Sequence, residues 1–79
     1  MNIDDAQKIV FTALEKNVQD LKMSQEELDK TLEELGVDSL DVMLVLMDIS
    51  DAANVEISDD EAESLYTPKK IMDFLCSKK

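Results

Sequence analysis

The chain has 79 residues, 44% of them hydrophobic and 34% charged, with a formal net charge of -11, one glycine, one proline, one cysteine and no histidine. It is too apolar for intrinsic disorder and too poor in turn residues for an all-β fold, so short helices are the economical solution and the expected class is all-α. One domain over residues 1–79 is expected to bury about 60 to 65% of its unfolded surface, and at that size short helices rarely enclose a deep catalytic pocket.

From the N-terminus, apolar residues recur as Ile3, Ala6, Val10, Ala13, Leu14, Val18 and Leu21, the spacing of one face of an amphipathic helix. Asn2 is placed to cap it, Lys8, Glu15 and Lys16 fall on other faces, and the helix is expected to end between Asn17 and Leu21. Ser24-Gln25-Glu26-Glu27 then has the form of a capping box, which predicts a short helical turn. Leu28, Leu32 and Leu35 are spaced to pin the following segment to the core, while Glu33 and Glu34 face water. Gly36, the only glycine, stands where a backbone conformation costly to other residues is expected.

A second long helix is expected from about Ser39 to about Ala53, with Asp38 or Ser39 as its N-cap. Asp41 in its first turn complements the positive end of the helix dipole, an end that also favours a phosphate on Ser39. Val42-Met43-Leu44-Val45-Leu46-Met47 is apolar on every side, so the helix is either central or keeps one face for a partner. In a chain this small it cannot all be buried, and Met43, Leu44 and Met47 are expected to be partly exposed. Ser58-Asp59-Asp60-Glu61 is a clear capping box that opens a short acidic helix ending near Leu65. Thr67-Pro68 starts the last helix, with Ile71, Phe74 and Leu75 inward and Lys78 and Lys79 at its negative end.

Several chemistries fail on residue type. Paired carboxylate catalysis needs shifted groups inside a cleft, whereas these carboxylates fall on predicted polar faces. The acidic stretch from Asp48 to Asp59 has the length of a calcium loop, but it offers Ala52, Ala53 and Asp59 where an EF-hand needs an oxygen ligand, glycine and glutamate. No metal site is expected. Cys76 has no histidine partner and reads as structural, in a reducing compartment. Met1-Asn2-Ile3-Asp4-Asp5 lacks the features of a signal peptide, and no apolar run approaches the roughly 20 residues of a membrane span, so a cytoplasmic location is expected.

Residues 26 to 63 hold fourteen Asp or Glu against one lysine, Lys30, a local charge of -13. A field of that sign repels nucleic acid and anionic lipid and steers basic protein patches into encounter. Within it lies Ser39, at a predicted helix start, flanked by Asp38 and Asp41 and served by no histidine or arginine. Such a serine is accessible yet poorly equipped as a nucleophile, the pattern of a residue modified by another protein.

Leu35-Gly36-Val37-Asp38-Ser39-Leu40-Asp41 at mid-chain, the apolar helix after it and the downstream Asp59-Asp60-Glu61-Ala62-Glu63 together resemble the acyl carrier proteins of dissociated fatty acid synthases. The resemblance covers nearly the whole chain. It implies a small four-helix bundle of three longer helices and one short one. It also implies a 4'-phosphopantetheine arm joined to Ser39 through a phosphodiester, donated by coenzyme A and installed by a phosphopantetheinyl transferase. Asp38 and Leu40 would flank the attachment point. Asp41, Met43, Leu44, Met47, Asp48 and Glu61 would meet basic patches on partner enzymes, which do the chemistry on the acyl thioester. The implied protein is a monomeric carrier and not an enzyme.

Two positions depart from the family pattern. Leu44 stands where relatives usually have a glutamate, which implies less electrostatic docking. Ala53 stands where they have a bulky apolar residue, leaving either extra room for an acyl chain or a gap that neighbours fill. These departures keep a dedicated carrier for a polyketide, specialised lipid or aminoacyl group as a rival to fatty acid synthesis. An unmodified acidic interaction module, with Ser39 only a helix cap, is the rival of a different class.

Overall fold

Four α-helices and one 3-10 turn make up the regular structure, and there is no strand among the described residues. The computed structural model describes residues 1–78; Lys79, expected beside Lys78, lies outside the described residues.

α1 (Ile3–Asn17) starts where the Asn2 side chain accepts a hydrogen bond from the Asp5 N–H at 2.8 Å, with Asp4 and Asp5 in the first turn. Ala6, Val10, Ala13 and Leu14 form its buried face. Ile3, expected on that face, is instead 48% exposed, because it occupies the first helical position, a turn ahead of the buried stripe. No glycine stops the helix. Asn17 turns back to donate from Nδ2 to the Ala13 carbonyl at 2.8 Å, and the chain leaves in extended conformation at Val18.

The long connection from Val18 to Asp38 is held by its own bonds rather than by a second long helix. Its 3-10 turn spans Gln25–Glu27. The expected capping box there does not form: the Ser24 hydroxyl donates to the Glu27 carboxylate at 2.7 Å and caps no backbone N–H. Reciprocal capping occurs instead between Thr31 and Glu34, where the Thr31 N–H donates to the Glu34 carboxylate at 2.9 Å and the Glu34 N–H to the Thr31 hydroxyl at 3.1 Å. Leu32 and Leu35 are buried and Leu28 is half-buried, as their spacing predicts. Two long-range backbone bonds, Leu32 N–H to the Tyr66 carbonyl at 2.9 Å and Lys69 N–H to the Leu28 carbonyl at 3.0 Å, tie this connection to the far end of the chain. Gly36 has φ +96°, a left-handed backbone that any side chain would strain.

α2 (Ser39–Ala53) buries Val45, Leu46, Ile49 and Ala53 and ends on Asn54 in left-handed conformation, φ 54°, where no glycine is available. α3 (Asp59–Ser64) is opened by the full Ser58–Glu61 capping box and closes onto buried Leu65. Its six residues are too few to hold a helix alone, so the box and its neighbours must do so. α4 (Pro68–Lys78) starts at Thr67, whose hydroxyl accepts from the Lys70 N–H at 3.2 Å, with Pro68 at the first helical position. Ile71, Met72 and Leu75 are buried, whereas Phe74, expected inward, is only half-buried; its ring lies 5.5 Å from the Lys78 ammonium.

The most extensive helix contacts are those of α1 with α2 and of α1 with α4. The all-round apolar helix is therefore not the centre of the bundle. α1 is, and α2 keeps a free face.

Candidate functional site

Asp38, in extended conformation, settles which residue caps α2. Its Oδ1 accepts from the Leu40 N–H at 3.0 Å and the Asp41 N–H at 2.8 Å. Ser39 is the first helical residue and exposed, so its hydroxyl plays no part in the cap, and the reading of Ser39 as merely a cap is corrected. The chain folds this way locally because Gly36 turns the backbone after Leu35, Val37 is buried, and the buried valine leaves Asp38 and Ser39 facing out.

Ser39 borders a cleft of about 600 Å³ between the 31–38 segment, the start of α2 and the end of α3. Leu32, Val37, Val42 and Leu65 give it an apolar lining, while Glu33, Glu63 and Tyr66 add polar groups. That volume lies within the range of small-molecule sites, about 300 to 1,000 Å³. Val42, Ala62, Leu65 and Tyr66 were not foreseen as part of the site. The bond from Leu32 to Tyr66 brings the α3–α4 junction to the wall of the cleft that Ser39 borders, and no local pattern announces it.

Along α2, Leu40 is 79%, Met43 54%, Leu44 51% and Met47 59% exposed, a continuous apolar ridge beginning one residue after the serine. Asp41 is half-buried in the same first turn. The two remaining acidic candidates are engaged inside the molecule. Asp48 accepts from Asn17 Nδ2 at 2.8 Å and faces Lys16 Nζ at 3.9 Å, linking α2 to α1. Glu61 completes the α3 capping box and pairs with Lys78 at 3.0 Å, linking α3 to α4.

Two carboxylates have shifted pKa values, and in both the shift is downward. Glu61 is held below the usual carboxylate range first by the Ser58 N–H and then by Lys78; Glu34 is lowered first by the Thr31 N–H and then by its hydroxyl. A general acid working near neutral pH needs the opposite shift. Among the described residues no cluster of side chains could hold a metal ion, and the first half of the Asp48–Asp59 stretch is helical rather than a ligand loop. No helix among them is long and apolar enough to cross a membrane.

These elements make an all-α bundle with an accessible serine at the start of an apolar helix, beside a small cleft. Residues 14–75 match the family described as phosphopantetheine attachment site. The acyl carrier protein of Wolinella succinogenes is 35% identical over 72 residues, which cover 91% of this chain and 90% of the relative. That of Syntrophobacter fumaroxidans is 36% identical over 75 residues, 85% and 93% of the two chains. That of Buchnera aphidicola is 35% identical over 79 residues, 98% and 92%. The chain belongs to the phosphopantetheine attachment family and, within it, to the acyl carrier proteins.

The residues present fit the 4'-phosphopantetheine group of this family in one particular way. The Leu40 and Asp41 N–H groups, which an anion at a helix start would use, are already bonded to Asp38. A phosphodiester on Ser39 would feel the helix dipole but would also stand beside the Asp38 and Asp41 carboxylates. An exposed hydroxyl bordering a cleft therefore suits covalent attachment, while the phosphate gains little from the surface around it.

Proposed function

We propose that Ser39 is the attachment residue and that residues 1–79 act as one monomeric cytoplasmic carrier domain, presenting acyl thioesters to the enzymes of fatty acid synthesis. The observation that carries this reading is the division of labour at the start of α2. Asp38 does the capping, and Ser39 is left exposed at the cleft. In the attachment step the Ser39 oxygen forms a bond to the β-phosphorus of coenzyme A. The bond to the adenosine bisphosphate breaks, and the serine proton passes to the transferase, so the carrier needs no base of its own. A flexible arm then raises the local concentration of its cargo at each partner's active site. The chain itself is not a catalyst.

Leu40, Met43, Leu44 and Met47 form the docking ridge, flanked by Asp38 and Asp41. With Asp48 and Glu61 bonded to Asn17 and Lys78, less charge faces the partner than the sequence implies, and the docking patch that fits is apolar with a modest basic rim. The exposed Leu44 favours a second reading, a dedicated carrier for a polyketide, specialised lipid or aminoacyl group with such partners. Ala53 is buried in the core rather than bordering the cleft beside Ser39, which supports repacking over an enlarged chain site there.

Incubation with coenzyme A and a broad-specificity phosphopantetheinyl transferase, followed by intact mass, tests the reading. Wild type gains one pantetheine phosphate and Ser39→Ala gains none. A wild-type chain that stays unmodified while a known carrier is modified overturns it.

A further inference from the structure

We infer that Tyr66 positions the prosthetic arm, holding the loaded chain of Ser39 in the cleft that the two residues share. The inference rests on Ser39 as the attachment point. Tyr66 borders the same 600 Å³ cleft, yet its side chain is no part of the core: it is 53% exposed, while the residues on either side of it, Leu65 and Thr67, are buried. An exposed aromatic ring between two buried neighbours contributes little to folding. Its backbone is nonetheless fixed, because the Tyr66 carbonyl accepts from the Leu32 N–H at 2.9 Å, and the Lys70 ammonium stands 5.1 Å from the ring centroid.

The chemistry matches the arm better than any charged ligand. Glu33, Asp38 and Glu63 around the cleft disfavour an anion within it, which leaves the arm's neutral part, methyl and methylene groups interrupted by amides. Leu32, Val37, Val42 and Leu65 offer apolar contact for the first, and a phenol offers both an apolar face and a hydroxyl that donates to or accepts from an amide. Because the arm is tethered at the rim, it meets this surface at high local concentration.

Tyr66 is the only tyrosine and there is no tryptophan, so tyrosine emission reports this residue alone. Acrylamide quenching of that emission is compared before and after loading, with loading verified by intact mass. The quenching constant is expected to fall by about half as the ring passes from half-exposed to mostly covered. Separately, maleimide alkylation of the arm's terminal thiol, resolved from Cys76 by peptide mass, is expected to be about threefold faster in loaded Tyr66→Ala and between the two rates in Tyr66→Phe, which keeps the ring and loses the hydroxyl. A gained mass with unchanged quenching, or an unchanged alkylation rate in Tyr66→Ala, overturns this inference alone. Failure to gain the mass overturns the attachment reading and this inference with it.

Discussion

On one side of α2, Val45, Leu46, Ile49 and Ala53 are no more than 5% exposed, in the core shared with α1; on the other, Leu40, Met43, Leu44 and Met47 are each more than half exposed. The two faces carry the same class of side chain. What separates them is whether another element stands opposite: α1 covers the first, while α3, six residues long, leaves most of the second open. Hydrophobicity thus measures what a face could bury, and only the arrangement of neighbours says whether the protein buries it or keeps it for a partner.

Truncation on the inner face should have the largest effect on folding. Ile49→Ala is expected to cost about 2 to 5 kcal/mol by leaving a cavity, whereas Met47→Ala should stay within about 0.5 kcal/mol, both read by chemical denaturation. Equal losses would erase the distinction between the faces. For docking the order reverses. Met47→Ala or Leu44→Ala should weaken binding to a partner enzyme by about tenfold in a titration at constant salt, with stability preserved. If raising the ionic strength weakens wild-type binding far more than either truncation does, the ridge is not the main contact.

A smaller effect comes from the residue that starts both faces. Asp38→Ala should cost about 1 kcal/mol through loss of the cap, and Ser39→Ala clearly less, since Asp38 accepts both cap bonds. The smallest effect belongs to the short helix beside the open face. Glu61 has its pKa lowered from the ordinary 4.5 in the fold, by the Ser58 N–H and then Lys78, so its contribution is fully present above that value and is lost as pH falls through the lowered one. Amide protection in α3, corrected for the intrinsic exchange rate at each pH, should fall over that interval in wild type, whereas Glu61→Gln should show the lower protection already at neutral pH. An α3 that exchanges alike in both proteins at every pH would show that the Glu61–Lys78 link does not hold it.

Much of the fold was legible because its signals act within one helical turn. The Asn2 cap, the Ser58–Glu61 box, the Thr67-Pro68 start and the Gly36 turn each link residues at most four positions apart, and all are present. Ser39, with its flanking carboxylates, was legible for the same reason. One local reading failed: the Ser24 box did not form because the serine bonded the Glu27 carboxylate directly, and Thr31–Glu34, equally well spaced, made the reciprocal pair instead.

By itself, then, the sequence determined an all-α chain, where its helices begin, and an exposed serine at the head of the most apolar one. Tertiary structure alone decided that α1 rather than α2 is central, that Met72 rather than Phe74 completes the core, and that Asp48 and Glu61 are bonded by Asn17 and Lys78. It also brought Tyr66 to the cleft that Ser39 borders. The physical reason is range. Capping is set by bonds between near neighbours, whereas an all-round apolar helix has no preferred side, and the partner of a surface carboxylate is chosen by whichever distant segment packs beside it.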